Sequence, residues 1–225
     1  RDILGTILPE IARETGLAKD TRVSVGIHDS NASLYPHILA QEAPFSVVST
    51  GTWVIVMAIG GATAGLDPKR DTLVNVNALG DPVPSARFMG GREYELVQDG
   101  QSITPNAQDV AEVLESALMI LPAVEPSTGP FQGRNMRWTG PEPAAASGQR
   151  AAALSFYLAM MTDACLTLTG AQGPTIVEGP FAQNVEFRTM LAAATGRPVL
   201  HSQATTGPSI GAALLFSDDN APGFD

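Results

Sequence analysis

The hydrophobic pattern alternates between helical and strand periods from the first residues onward. Ile3, Leu4, Ile7, Leu8, Ile11 and Ala12 recur at helical spacing and predict one amphipathic helix from Asp2 to Thr15, closed by Gly16 at its C-cap. Thr21 to Ser24 alternates into Val23 and Val25 and predicts a strand running to Gly26-Ile27-His28-Asp29. An amphipathic stretch from Ser30 to Leu39 predicts a second helix. From Pro44 the period shortens. Phe45-Ser46-Val47-Val48 and Trp53-Val54-Ile55-Val56-Met57 read as two strands joined by Ser49-Thr50-Gly51-Thr52, a hairpin with a glycine and hydroxyls at its tip. Thr72 to Ala78 and Ala86 to Met89 predict two further strands, and Gly90-Gly91 leads into a helix starting near Arg92.

Residues 99–148 are rich in Gly and Pro, carry short helical pieces such as Ala107 to Met119, and are expected to be surface insertions. A long Ala- and Leu-rich helix is predicted from Gln149 to Thr169. A compact run follows: strand Thr175–Val177, helix Asn184–Thr195, strand Pro198–Leu200 and helix Ser209–Phe216. Alternating strands and helices predict an α/β sheet, and the early hairpin makes that sheet mixed.

Charge and composition narrow the function classes. Thirteen basic residues stand against 23 acidic ones, a formal charge of −10, so broad binding to nucleic acid or an anionic membrane is not expected. A small local nucleotide site remains compatible with that surface. No apolar run of membrane-spanning length is apparent, and no basic segment followed by an apolar core marks a secretory leader. The one cysteine, Cys165, lies in an apolar helical stretch; a buried, inert thiol in a reducing compartment, the cytoplasm, is expected. The chain opens on Arg1, which fits a piece of something longer.

Four segments could carry chemistry, and at each an ordinary cap, turn or helix start is the plainer reading. Asp29, at the end of a strand and the start of a helix, is a candidate catalytic acid, or simply a helix cap. Ser49-Thr50-Gly51-Thr52 could hold phosphate oxygens through backbone N–H groups and hydroxyls, or be an ordinary turn. Glu178-Gly179-Pro180-Phe181-Ala182-Gln183-Asn184 joins a strand to a helix start and could meet a ligand's polar edge. Gly207-Pro208-Ser209-Ile210-Gly211 matches the nucleophile pattern of serine hydrolases. Yet His28, His37 and His201 all precede Ser209, against the order of that triad, so a close-packed helix start is the alternative. No P-loop, dinucleotide fingerprint, zinc motif or paired cysteine is present.

The order of these pieces resembles the FGGY carbohydrate kinases. Gly26 to Asp29 is similar to the segment bearing the family's catalytic Asp, and Ser49-Thr50-Gly51-Thr52-Trp53 to its second phosphate-binding hairpin. Phe88-Met89-Gly90-Gly91 is similar to a glycine turn near the nucleotide, and Glu178 to Asn184 to the adenosine turn. Gly196-Arg197-Pro198-Val199 and Gly211-Ala212-Ala213 trail that turn as in the family. Pro180 and Phe181 interrupt the run of glycines usual there.

The resemblance implies an actin-like ATPase (ribonuclease H-like) α/β fold, a mixed β-sheet flanked by helices. It places residues 1–40 at the tail of the sugar-binding N-terminal domain and 41–225 in the C-terminal nucleotide-binding domain. It implies ATP and Mg²⁺ as cofactors, with no protein metal ligands identified. Asp29 becomes the general base and His28 a sugar contact. Thr50, Gly51, Thr52, Gly90, Gly179, Pro180, Phe181 and Asn184 become the ATP site. The partners implied are a sugar and the N-terminal half of the same enzyme; Gly26-Ile27-His28-Asp29 and Ser49-Thr50-Gly51-Thr52-Trp53 are somewhat closer to the deoxyketose kinases, such as those for rhamnulose or fuculose, than to glycerol kinases. Without that half, apolar surface on Ile3 to Ala12 is expected to favour association, a homodimer included. A nucleotide-binding module of the same superfamily without transfer chemistry is the alternative.

Overall fold

Local breakers decide how the chain opens. In the computed structural model, which describes residues 2–63, 65–202 and 207–216, the helix expected over 2–15 is instead strand β1 (Ile3–Thr6) followed by helix α1 (Pro9–Thr15). Pro9 occupies the first helical turn, where its missing N–H is harmless. The residues before it are left to pair, Ile3 with Ser24 and Thr6 with Arg22 of antiparallel β2 (Arg22–Ser24). Helix α2 (Asp29–Ala40) follows.

Then come the hairpin strands β3 (Phe45–Thr50) and β4 (Val54–Ile59), and the pair β5 (Thr72–Val76) and β6 (Pro82–Phe88). Helix α3 (Gly90–Gln98) leaves β6 almost at once. Asn106 and Asp109 close a reciprocal capping box on α4 (Ala107–Glu115). A short ribbon, β7 (Ile120–Leu121) with β8 (Arg137–Trp138), precedes the long α5 (Gly148–Leu168), capped by Ser147. The chain continues through β9 (Thr175–Glu178), α6 (Val185–Thr195), β10 (Val199–His201) and α7 (Gly207–Leu214).

These elements form two compact units. The first holds the described residues up to Gln41, Asn77–Leu79 and 207–216. In it α7 lies on α2: Gly207 and Gly211 stand where any Cβ would run into Ser33 and the Ala32 carbonyl. The glycines of the Gly207–Gly211 segment thus serve helix-to-helix approach. Ser209 lies within the first turn of α7, not on a strained turn as a nucleophile elbow requires, which removes the hydrolase reading. Leu4, Leu8 and Ile11 of this unit are exposed.

The second unit is built on a six-stranded sheet in the order β10-β9-β3-β4-β6-β5. The β10-β9-β3 side is parallel and the β3-β4-β6-β5 side antiparallel, so the sheet is mixed. Val48, Val54, Val56, Phe88 and Val177 meet Leu154, Leu158 and Leu166 of α5 and Phe187 and Leu191 of α6 in one core. Helix α5 has the length its spacing predicts, 21 residues, and against the expectation of no such run it is apolar enough to cross a membrane, but 67% of its apolar window is buried inside this unit. It is a core helix, and its Cys165 thiol is fully buried, with burial pushing its pKa up.

The stretch 99–148 is more than surface insertion. Ile120 and Ala123 are buried, and Val124, Phe131 and Trp138 pack on the main core. Apolar residues scattered among turn formers have no period to read, yet the β7–β8 ribbon gathers them over α5.

Candidate active site

Three chain segments meet at one end of the second unit's sheet. The first is the hairpin tip. Thr50↔Val54 is the last β3–β4 pair, which leaves Gly51, Thr52 and Trp53 as the connection, closed by the Gly51 N–H donating to the Trp53 carbonyl (2.9 Å). Gly51 and Thr52 are exposed.

The second is the start of α3. The Gly91 N–H donates to the Thr52 carbonyl at 3.2 Å, fastening the helix start to the tip. A Cβ on Gly91 would overlap the Gly51 carbonyl and lie 3.0 Å from Thr52 Cα. Gly90, buried, leaves no more room beneath Val54 and Phe88. Only glycine lets helix and hairpin come this close, and the helix brings its positive N-terminal end with it.

The third is the turn after β9. Parallel pairing sets Glu178 beside Ser49, and Gly179 follows at φ 79, ψ −163. A Cβ there would overlap the Thr50 carbonyl and stand 2.8 Å from the Thr50 hydroxyl. That hydroxyl, 6% exposed, donates to the Glu178 carbonyl (2.5 Å) and accepts from the Phe181 N–H (3.1 Å). Thr50 is therefore the clip between hairpin and turn. Thr50→Val should leave a buried C=O and N–H unpaired, costing roughly 1–3 kcal/mol. A thermal melt should fall accordingly and recover with Thr50→Ser; an unchanged melt for Thr50→Val would remove the clip.

The remaining predicted residues divide by exposure. Gly179 and Pro180 are exposed, with Pro180–Gln183 forming a 3-10 turn. The Phe181 side chain is buried, 5.9 Å from Tyr94 and 5.4 Å from Phe187 between ring centroids. Asn184 caps α6, its Oδ1 accepting from the Phe187 N–H (2.8 Å) and its Nδ2 donating to Ser155 Oγ (2.9 Å). Thr50, Phe181 and Asn184 thus hold the scaffold, while Gly51, Thr52, Gly179 and Pro180 form its exposed rim.

Asp29 and His28 belong to the first unit. Asp29 opens α2 within its first turn, with His28 in the cap position. Asp29 Oδ1 accepts from the Ser30 N–H (2.7 Å) and lies 3.2 Å from His28 Nδ1. The side chains are 77% and 70% exposed, so both face solvent.

Two groups near the rim escape a reading of the sequence alone. Arg87 lies over the Trp53 ring at 4.6 Å and pairs with Asp71. Glu93 is fully buried, and burial drives its pKa up to about 7. The signal for Glu93 was its helical spacing from Val97, an acid on the apolar face of α3. Among the described residues no group of three or more His, Cys, Asp or Glu side chains forms a metal-binding cluster.

Residues 42–222 match the family model for the C-terminal domain of the FGGY carbohydrate kinases. A carbohydrate kinase from Novosphingobium aromaticivorans is 36% identical, with a TM-score of 0.84 over 99% of this chain and 50% of its own. Xylulose kinase from Lactobacillus acidophilus (14% identity, TM-score 0.71, 95% of this chain and 46% of its own) shares the fold. So does glycerol kinase from Plasmodium falciparum, solved with ADP (13% identity, TM-score 0.69, 95% of this chain and 45% of its own). The chain spans about half the length of these structures. No curated protein matches the sequence. The mixed sheet and its flanking helices are those of the actin-like ATPase fold, and the chain belongs to the FGGY carbohydrate kinase family, of which it carries the C-terminal domain.

Proposed function

We propose that this chain supplies the nucleotide-binding part of an ATP-dependent sugar kinase, which transfers the γ-phosphate of ATP to a sugar hydroxyl. The observation that carries the reading is the glycine-lined meeting of hairpin tip, α3 start and Gly179 turn. In such chemistry the protein positions and balances charge more than it bonds covalently. The exposed Thr52 hydroxyl and the backbone around Gly51 and Gly90 face the phosphates, with the positive end of α3 behind them. Gly179 and Pro180 offer the surface for adenosine, while Thr50, Phe181 and Asn184 keep that surface in place.

Asp29 takes the proton of the acceptor hydroxyl and His28 orients the sugar; their solvent exposure leaves both open to a ligand. The nucleotide's own phosphates and water hold Mg²⁺, which supplies charge neutralisation when bound. Residues 41–225 act as the nucleotide domain and 1–40 as the tail of a sugar-binding domain that forms the rest of the enzyme, in the cytoplasm. The acceptor is a ketose, because Gly26-Ile27-His28-Asp29 and Ser49-Thr50-Gly51-Thr52-Trp53 most resemble the deoxyketose kinases.

ADP release measured with a panel of ketoses and polyols tests the reading. The protein carrying both domains should turn over ATP when a ketose is added. Residues 1–225 alone should bind adenine nucleotide and phosphorylate nothing, since the acceptor is not oriented; proximity contributes on the order of 7–11 kcal/mol to such reactions. Sugar-dependent turnover by residues 1–225 alone would overturn the domain assignment. Nucleotide binding without turnover by the two-domain protein would leave a binding module.

A further inference from the structure

Helix α3 does two things within one turn: Gly90 and Gly91 press on the hairpin tip, and Glu93 enters the core. Glu93 Oε1 accepts the Glu125 N–H (3.2 Å), while Oε2 has no hydrogen bond among the described residues. From α5, Tyr157 accepts the Val124 N–H (3.2 Å) with its hydroxyl, which also bears on the Glu93 carboxyl. The tie is reciprocal, because the Glu125 carboxylate pairs with Arg92, the residue before Glu93 (3.6 Å). A strap at 124–125 is thus held to α3 through the buried Glu93 carboxyl and to α5 through the Tyr157 hydroxyl beside it.

We propose that Glu93 is a proton-linked positioning residue, whose neutral form holds the start of α3 against the hairpin tip and whose ionisation weakens the binding of nucleotide phosphates there. A neutral carboxyl keeps the Glu125 bond without placing a bare charge in the core. An ionised one sets an uncompensated negative charge one turn from the glycine pair, where an anionic ligand binds. The groups facing Glu93 are Glu125 on the strap and Tyr157 and Cys165 on α5; Arg92, beside it on α3, points out to pair with Glu125. Burial dominates, raising the pKa to about 7; the Glu125 N–H bond and the nearby Tyr157 hydroxyl oppose it, and the Glu125 charge adds to it. The neutral form therefore prevails below that pH and is lost above it.

The inference rests on the nucleotide reading above, and its test separates the two. Dissociation constants for ADP are measured on the intact protein and on Glu93→Gln from pH 5.5 to 8.5, with melts as a check of folding. The ligand's phosphates titrate alike in both, so the ratio of the two constants isolates Glu93. If only the neutral form binds, wild-type affinity relative to Glu93→Gln falls about tenfold from pH 6 to pH 8. Parallel profiles, even with different melting temperatures, would reduce Glu93 to a purely structural group and overturn the inference. So would a folded Glu93→Gln that binds poorly at every pH. If Glu93→Gln does not fold, Tyr157→Phe replaces it: losing that hydroxyl should move the wild-type midpoint to higher pH, and an unmoved midpoint overturns the inference. Absence of ADP binding by the wild type at every pH would instead sink the nucleotide site, and the inference with it.

Discussion

Asp29→Asn in the intact enzyme is expected to reduce sugar-dependent ADP release by about 10²–10⁴-fold, the usual contribution of a positioned base. Adenine nucleotide affinity should not change, because the phosphate and adenosine segments belong to the other unit. Asn preserves the size and one acceptor oxygen of the side chain, so the 2.7 Å bond from the Ser30 N–H survives and α2 keeps its first turn. What disappears is the capacity to take a proton. Steady-state kinetics with saturating ketose make the measurement. Near-normal kcat would exclude Asp29 from the chemistry, and a loss confined to KM would make it a binding group.

Gly179→Ala should be the most damaging small change in the nucleotide domain. Two independent penalties coincide. At φ 79, ψ −163 the backbone occupies a region almost reserved for glycine, worth about 1–3 kcal/mol of strain for any other residue. The added methyl also overlaps the Thr50 carbonyl, backbone that cannot swing aside. Together a loss of roughly 3–5 kcal/mol is expected, which for a domain of this size lowers the melting temperature by about 6–20 °C. Nucleotide affinity should fall too, since relief of the clash opens the Thr50 clip. Gly196→Ala supplies the control. Gly196 is left-handed at φ 64 but a Cβ there meets nothing within 4 Å, so only a backbone cost of about 1–2 kcal/mol is expected. Equal melts for the two variants would show that contact with Thr50 is not what requires glycine at 179.

Much of this was legible in the amino-acid sequence. The long helix α5, the hairpin with its hydroxyl tip, and the closing alternation of β9, α6, β10 and α7 follow from period and turn chemistry, which act over a few residues. Breakers close in sequence were harder to weigh: an apolar spacing suited to a helix from 2 to 15 yielded to Pro9 and to pairing with β2. The segments that form the site were visible one by one, as Thr50-Gly51-Thr52, Gly90-Gly91 and Gly179 to Asn184. Their division of labour was not. Thr50 and Phe181 are 131 positions apart, yet a single hydroxyl joins them and turns both into scaffold rather than rim. Glu93 likewise became a buried carboxyl with its pKa pushed up to about 7 only when the 124–125 strap and α5 closed over it. The sequence by itself determined which segments are strands, helices and glycine turns, because those preferences reside in neighbouring residues. Only the tertiary structure decided which side chains face solvent, since burial is set by segments that meet after folding.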